Sequence, residues 1–300
     1  MQNASYSLNL TVPIVRCLPS NDTVRAWTAA AAYEAVTGSA FAGSTVAGTT
    51  SVDNSTFVAH VNNLTYTVME RTNFTDEETG NWTMVTNKLF GQIGYYGMLG
   101  NTTMVPNGTL PGDLWIAIAN VPNGTTNDNL VFTALNRTDT EFPAIKWDVS
   151  YFTCSLWNVS VPTNVTFVDN VQSLQAGPVR MLDFFIGGEE PEYVQETDVA
   201  LETYNAFGSV LYGYLLGYVA NFIEVGDSSS GSGSGVWNTT IDDTILGTAA
   251  DFSAITMAWQ LRGYRFYELG ATVQKKNLTT LIEDLSLNAS LSLMSNPIFK

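Results

Sequence analysis

The stretch Ser5-Tyr6-Ser7-Leu8-Asn9-Leu10-Thr11-Val12 alternates strictly between polar and apolar residues. Side chains along a β-strand point to opposite faces in turn, so this period of two predicts a half-buried strand. Asn9 falls on its polar face.

A similar pattern of sequons occurs in the second half of the chain. The triplets Asn158-Val159-Ser160 and Asn164-Val165-Thr166 stand six residues apart, as Asn3-Ala4-Ser5 and Asn9-Leu10-Thr11 do. The match fades beyond about ten residues, which is short for a repeat unit. We therefore predict two similar strands in one sheet, with a duplicated half as the alternative.

The first half of the chain contains one predicted helix and several further strands. The helix runs from Val24 to Thr37, with Asp22 or Thr23 as its N-cap and Gly38 as its end. A loop of small residues is predicted over 38–51. Short strands broken by Asn-Gly turns follow, and the clearest are residues 114–119, 130–135 and 145–161.

Helical patterns dominate the second half. Helices are predicted over residues 199–223, 248–269 and 278–293, with a flexible Gly/Ser-rich loop over 226–235. The predicted fold class is α+β, with an antiparallel sheet or sandwich in a β-rich N-terminal half and helices in the C-terminal part. We divide the chain into a β-rich glycosylated region, 1–168, and a mainly helical region, 169–300, with one composite domain as the alternative.

The uncharged run over residues 206–223 is just long enough to cross a bilayer. Small residues recur there at four-residue spacing, which favours close helix packing in membranes. Both flanks are acidic, however, and three tyrosines lie within the run. We therefore predict a buried helix of a globular domain.

Sixteen N-x-S/T sequons are the most informative motifs of the chain. With 25 asparagines and about a fifth of all residues Ser or Thr, about five sequons would arise by chance, so the excess indicates that the signal is used. Unused sequons in Asn- and Thr-rich loops are the alternative. The predicted N-glycan acceptors are Asn3, Asn9, Asn21, Asn54, Asn63, Asn73, Asn81, Asn101, Asn107, Asn123, Asn136, Asn158, Asn164, Asn238, Asn277 and Asn288.

Composition excludes two classes of protein. Apolar residues make up 45% of the chain, too many for a disordered stalk, while charged residues make up only 13%. Twelve Lys and Arg residues against 28 Asp and Glu residues give a net charge of −16. The basic surface that a nucleic acid requires is missing, so no nucleic-acid partner is expected.

The two cysteines, Cys17 and Cys154, are predicted to form one disulfide, because an even number of cysteines in an oxidising compartment indicates disulfide pairing. Two buried or externally paired thiols are the alternative. Neither cysteine has a histidine or a third cysteine near it in the sequence, so no metal site is expected there.

No motif of a catalytic or cofactor site is present in the sequence. His60 is the only histidine and is interpreted as structural, and neither a G-x-S-x-G elbow nor a zinc or phosphate-binding motif occurs. Asn127-Asp128-Asn129 lacks the ligand spacing of an EF-hand. No cofactor is expected, and an enzyme is not the preferred interpretation.

Carboxylates are the only acid–base groups present in numbers. A glycosidase would need two of them close together in the fold, beside aromatic residues that stack on sugars. The candidates are Glu189, Glu190, Glu192, Asp242 and Asp243, near Trp237 and Trp259. For the three glutamates, a solvated turn is the preferred interpretation.

One series of segments carries a resemblance to a family. Cys154-Ser155-Leu156-Trp157-Asn158, the strand to Phe167-Val168 and then Val171-Gln172 are followed by residues 241–246 and by a helix with its sequon over 282–293. Over residues 150–294 this order resembles the extracellular domains of uncharacterised fungal polytopic plasma-membrane proteins. The resemblance implies a cell-surface location and membrane helices outside this chain; it implies no catalytic residues.

The sequence therefore predicts a heavily N-glycosylated extracellular protein with a structural or adhesive role at a surface, with self-assembly as a further expectation. Its partners would be N-linked glycans and other subunits or copies of itself, and membrane contact would come only from segments outside this chain. The N-terminus lacks a secretion signal, so a mature product or an excised ectodomain is expected. The alternatives are a ligand-binding ectodomain of a fungal membrane protein and a secreted carbohydrate-active enzyme.

The predicted glycans are unevenly distributed. No sequon lies between Thr166 and Trp237. Bulky sugars keep surfaces apart, so we predict that part of residues 167–237 packs in the core and that the remainder contacts another protein. Exclusion of glycans by burial alone is the alternative.

Overall fold

The computed structural model describes residues 4–40, 50–52, 55–62, 65–75, 82–100, 112–121, 147–168, 171–184, 199–225, 231–258 and 273–295. Within these residues, eleven strands form one sheet and every pairing is antiparallel. Helices accompany the sheet, chiefly in the C-terminal part. The predicted α+β class with an antiparallel sheet is confirmed.

The sheet runs in the order β1-β7-β6-β5-β4-β3-β2; β10 pairs with β5 and β11, while β8 and β9 pair with β7. The strands are β1 (Ala4–Pro19), β2 (Thr50–Val52), β3 (Ser55–Asn62), β4 (Thr65–Thr75), β5 (Trp82–Leu99), β6 (Leu114–Asn120), β7 (Asp148–Val168), β8 (Val171–Ala176), β9 (Arg180–Phe184), β10 (Gly217–Val225) and β11 (Gly231–Thr239). The α-helices are α1 (Asp22–Ala40), α2 (Val199–Gly213), α3 (Ala250–Ala258) and α4 (Leu278–Ser295), and two short 3₁₀ turns span Ile241–Asp243 and Ile245–Thr248.

The short strand β6 lies at the centre of a layered core. All of its residues except Asn120 are buried, because helices pack on both faces. On one face Trp115 meets Trp27 of α1 edge-on, with 6.4 Å between ring centroids. On the other face Ile116 belongs to the same cluster as Phe252 of α3. Burial on both faces explains why this strand is continuously apolar.

Strands β1 and β7 form a long two-stranded ribbon. Ser7 lies opposite Asn164 and Pro13 lies opposite Asn158, so the two strands with similar sequon spacing are neighbours in one sheet, as predicted. The predicted disulfide pair also lies in this ribbon. Cys17 is directly opposite Cys154, with 3.9 Å between their Cα atoms, and the two sulfurs are bonded.

Helix α4 covers the outer edge of β1 along the inner part of the strand. Among the described strands β1 pairs only with β7, so its outward backbone groups need other partners. Three polar side chains of α4 supply them. The Val15 amide donates to the Ser286 hydroxyl at 3.0 Å, and the Cys17 amide donates to Glu283 Oε1 at 3.1 Å. The Ser290 hydroxyl donates to the Pro13 carbonyl at 2.5 Å.

Helix α1 begins and ends differently from the prediction. The Val24 amide donates to Asn21 Oδ1 at 2.9 Å, so Asn21 is the N-cap in place of Asp22 or Thr23. The helix also continues through Gly38 to Ala40, because glycine costs a helix only about 1 kcal/mol relative to alanine. The predicted loop over 38–51 is therefore wrong at both ends, since β2 begins at residue 50; residues 41–49 lie outside the described residues.

The helix predicted over 199–223 is wrong in its second half. Helix α2 ends at Gly213 and strand β10 begins at Gly217. The Leu216 amide donates to the Tyr212 carbonyl at 3.1 Å, and Gly217 has a φ of 108°, in the left-handed region that favours glycine. Aromatic and β-branched residues after this turn favour a strand. None of the helices within the described ranges is long and apolar enough for a bilayer span.

The predicted Gly/Ser-rich loop is also partly wrong. Residues 231–235 form the first half of β11 and pair with β10, while 226–230 lie outside the described residues. A strand of glycine and serine pairs through its backbone alone, and here the partner strand provides the template. Sequence propensity therefore underestimated the sheet in this region.

The remaining predicted elements agree where they are described. Helix α4 confirms the helix predicted over 278–293. Helix α3 confirms residues 250–258 of the helix predicted over 248–269, and residues 259–269 lie outside the described part. The predicted strands 114–119 and 145–161 correspond to β6 and β7, while residues 130–135 lie outside the described part.

Both predicted regions of the chain contribute to the same layers. Strands β8 to β11 come from the second region, yet they join the sheet that begins with β1. The largest buried cluster likewise combines Leu114 and Leu156 with Leu215, Phe252 and Leu281. The sheet and the core thus cross the boundary at residue 168.

Candidate glycan-bearing face

The predicted acceptors divide according to what the structure describes. Seven side chains are described, and six of these are exposed while Asn158 is half-buried: Asn9, Asn21, Asn158, Asn164, Asn238, Asn277 and Asn288. Asn73 lies in β4, where only the backbone is described. The acceptors outside the described residues are Asn3, Asn54, Asn63, Asn81, Asn101, Asn107, Asn123 and Asn136.

Two acceptors share one exposed face of the ribbon. Asn9 lies opposite Pro162 and Asn164 lies opposite Ser7, so the two asparagines are diagonal neighbours. Such neighbours on antiparallel strands are about 7–8 Å apart. Gln175 of β8 lies opposite Asn164 and extends the surface. We call the five exposed residues Ser7, Asn9, Pro162, Asn164 and Gln175 the polar face.

A shallow cavity of about 320 Å³ opens on the polar face. Its lining includes both acceptors, Asn9 and Asn164, together with Ser7, Gln175 and Gly177. The lining carries no charged side chain; its amides and hydroxyls are the groups that hydrogen-bond to sugar hydroxyls. A sugar attached to either asparagine would therefore lie at this cavity.

The amide oxygens of two acceptors are used by the fold. The Ser7 hydroxyl donates to Asn164 Oδ1 at 2.5 Å, and the Val24 amide donates to Asn21 Oδ1 at 2.9 Å. An N-glycan attaches to the other amide atom, Nδ2. Neither Nδ2 makes a hydrogen bond within the described part of the chain, so attachment of a sugar leaves both bonds intact.

Asn158 has a different environment from the exposed acceptors. It lies between Pro13 of β1 and Asp183 of β9. Its Oδ1 is buried and has no hydrogen-bond partner among the described residues. Leaving a buried polar atom without a partner costs about 1–3 kcal/mol. Asn158 is thus the acceptor that the fold accommodates least well.

The sequon at Asn288 is divided between solvent and core. Asn288 is exposed on α4, but Ser290, the hydroxyl residue of the same sequon, is only 1% exposed. The Ser290 hydroxyl donates to the Pro13 carbonyl at 2.5 Å. By contrast, Thr11 and Thr23 are exposed in the sequons of strand β1 and helix α1.

A half-buried carboxylate ties the start of α4 to α3. Asp251 Oδ1 accepts hydrogen bonds from the Leu278 amide at 2.9 Å and from the Phe252 amide at 3.0 Å. Burial raises the pKa of Asp251, and the bonded backbone amides act in the opposite direction. This contact positions Asn277, the exposed acceptor that precedes the helix.

The candidate catalytic groups are not brought together by the described residues. Asp243 is exposed on a 3₁₀ turn; Asp242 and Trp237 are described only by their backbone, as is His60 in β3. No group of three His, Cys, Asp or Glu side chains in the described part could hold a metal ion. The candidates outside the described residues are Glu189, Glu190, Glu192, Trp259 and residues 127–129.

Sequence reasoning missed the polar contacts that fix α4 on β1. Glu283, Ser286 and Ser290 follow one another at helical spacing i, i+3 and i+7, and all three bond to backbone groups of the strand. A polar stripe on the buried phase of a predicted helix is the signal that could have revealed them. It indicates a helix that covers a strand edge.

No protein-family model matches the chain, and neither a curated protein nor a solved structure matches it.

Proposed function

We propose that this protein is a heavily N-glycosylated extracellular protein with a structural or adhesive role at a cell surface. The observation that carries the proposal is the exposure of six of the seven described acceptor side chains. Asparagine is often exposed in any protein. The commitment of Oδ1 to the fold at Asn21 and Asn164, with Nδ2 left for a sugar, adds weight.

The composition and the disulfide support the same proposal. Only 13% of the residues are charged, so glycans would supply much of the hydration of the surface. The bonded pair Cys17–Cys154 is typical of an oxidising compartment. Both features fit a chain that passes through the secretory pathway, as does the family resemblance over residues 150–294.

The proposal is tested by the mass of the protein made in a eukaryotic secretory host. We expect about ten or more of the sixteen sequons to be occupied, so treatment with an N-glycosidase should lower the mass markedly. A mass before treatment equal to the bare chain of 32.6 kDa would contradict the proposal. Asn296 is followed by Pro297 and serves as an internal negative control in peptide mapping.

We propose further that the stretch without sequons provides the contact with other protein subunits or copies. Its inner part is packed in the core, as Leu215 and Val219 are fully buried. Val210 near the end of α2 and Tyr214, the first residue after the helix, are 65% and 48% exposed and stand four positions apart. Exposed apolar side chains of this kind are typical of contact surfaces.

Charge introduced at Val210 and Tyr214 tests this contact. The double substitution Val210→Asp with Tyr214→Asp should abolish self-association in analytical ultracentrifugation and leave the circular dichroism spectrum unchanged. The matched control is Met257→Asp, because Met257 is 59% exposed on α3 outside the sequon-free stretch. Association that survives the double substitution, or that is lost equally in the control, would refute the contact.

A further inference from the structure

The Asn288 sequon has its acceptor on the surface and its hydroxyl in the core. Ser290 is 1% exposed and its hydroxyl is bonded to the Pro13 carbonyl. Ser286, one turn earlier, is fully buried against the Val15 amide. Docking of α4 on β1 thus removes Ser290 from contact with any other molecule.

Transfer of an N-glycan needs both residues of the sequon at once. The transferring enzyme must reach the asparagine nitrogen and the hydroxyl two positions later, and it needs the three residues in an extended form. In docked α4 these residues are helical and the hydroxyl is inaccessible. The folded protein therefore cannot be glycosylated at Asn288, although the Asn288 amide faces solvent.

The order of synthesis sets up a competition at this site. Strands β1 and β7 both precede α4 in the chain, so the residues that receive α4 are synthesised before residues 278–295 emerge. A helix gains most of its stability from tertiary packing, so α4 becomes stable when it docks on that surface. The time available for glycan transfer at Asn288 ends with that docking.

Asn9 is in the opposite situation. Its neighbour strand β7 begins at Asp148, well over a hundred residues later. At about 5–20 residues per second, synthesis of the intervening chain leaves β1 without its partner for roughly 7–30 s. Thr11 also remains exposed after folding. No docking step removes this sequon early.

We propose that Asn288 is a folding-gated glycosylation site, occupied in only part of the molecules because docking of α4 on β1 competes with glycan transfer. This inference rests on the proposed function, since it requires that the chain is N-glycosylated. It predicts two glycoforms of one sequence, and it predicts that occupancy at Asn288 depends on how fast the C-terminal helix docks.

The test weakens docking without changing the sequon. Ile282 is fully buried on α4, six residues before Asn288, so Ile282→Ala should slow docking. The matched control is Ile93→Ala, because Ile93 is equally buried but belongs to the cluster under α1. Occupancy at Asn288, Asn9 and Asn21 is read by peptide mass mapping of full-length chains isolated minutes after synthesis. Early isolation keeps misfolded variants in the sample.

We expect partial occupancy at Asn288 in the original chain, with the unoccupied fraction falling by roughly half or more in Ile282→Ala and staying constant in Ile93→Ala. Full occupancy of the original chain, no change in Ile282→Ala, or an equal change in both variants would each overturn the inference. Empty Asn9 and Asn21 in all three proteins would instead show that the proposed function has failed.

Discussion

Strand β1 has an outer half, residues 4–11, and an inner half, residues 12–19. Both halves pair with β7, yet their surroundings differ. From Val12 to Val15 every residue is buried, and α4 bonds to the outer edge of the strand from residue 13 to residue 17. From Ala4 to Thr11 the polar residues are exposed, and Asn9 belongs to the polar face. Register with β7 is unbroken through both halves.

The contrast teaches that backbone pairing and protection of a strand are separate properties. An unpaired edge attracts other strands unless something covers or blocks it. In the inner half, hydroxyl and carboxylate groups of α4 satisfy the backbone. In the outer half, no described side chain does so, and we propose that the Asn9 and Asn164 glycans keep other chains away.

The largest expected effect comes from the disulfide of the inner half. Replacing both Cys17 and Cys154 with serine should lower the free energy of unfolding by about 2–5 kcal/mol, because the bond constrains a long loop of the unfolded chain. The two residues are separated by 137 positions. Chemical denaturation of the double variant measures the loss. A loss below about 1 kcal/mol would show that the ribbon does not depend on the bond.

The edge contacts of α4 come next in size. Ser286→Ala removes the partner of the buried Val15 amide and should cost about 1–3 kcal/mol. Ser7→Ala is the matched control in the outer half, where the lost bond to Asn164 is exposed and should cost about 0.5 kcal/mol or less. Equal losses in the two variants would remove the distinction between the halves.

Asp251 should make the docking of helix α4, which covers the inner half of β1, sensitive to pH. Its folded pKa is raised above the ordinary value of 3.8, so its contribution to stability is fully present below that value and is lost as pH rises through the folded pKa. Asp251→Asn keeps an oxygen for the Leu278 and Phe252 amides but does not titrate. The original chain should become less stable as pH rises from 3.8 through the folded pKa of Asp251, and Asp251→Asn should not show this decrease.

Thermal unfolding at a series of pH values measures this difference. Asp251→Ala serves as the control, because it loses both hydrogen bonds and should be less stable than Asp251→Asn throughout the series. A chain whose stability rises with pH in the same window, relative to Asp251→Asn, would contradict the assigned direction of the pKa shift.

Regular periodicity made strand β1 and the helix that covers it predictable. Strict alternation over residues 5–12, which lie almost entirely in the outer half, identified β1, and helical spacing identified α4 over nearly its whole length. The segment over 199–223 is apolar without a clear period, so its length suggested one helix. A turn at Gly217 divides it, and that turn depends on packing between distant strands, which no local pattern reports.

The candidate site was only partly visible in the sequence. A sequon is read directly, and alternation correctly placed Asn9 on a polar face. That Asn164 lies beside it required the register of β1 with β7. The buried oxygen of Asn158 and the buried hydroxyl of Ser290 were invisible, because both depend on strands or helices far away in the sequence.

The smallest expected effect compares the two acceptors of β7. Asn158→Val removes a buried oxygen that has no partner among the described residues, whereas Asn164→Val removes an exposed amide bonded to Ser7. Each variant gains the same strand-favouring side chain and loses one sequon, so these contributions cancel in the comparison. Asn158→Val should be more stable than Asn164→Val by about 1 kcal/mol, since only it relieves an unsatisfied group. Denaturant unfolding of the two proteins side by side gives the difference, and peptide mapping verifies that each lost the same glycan mass. If Asn164→Val proves the more stable, the Asn158 amide has a favourable partner and the two ends of the ribbon are more alike than their burial indicates.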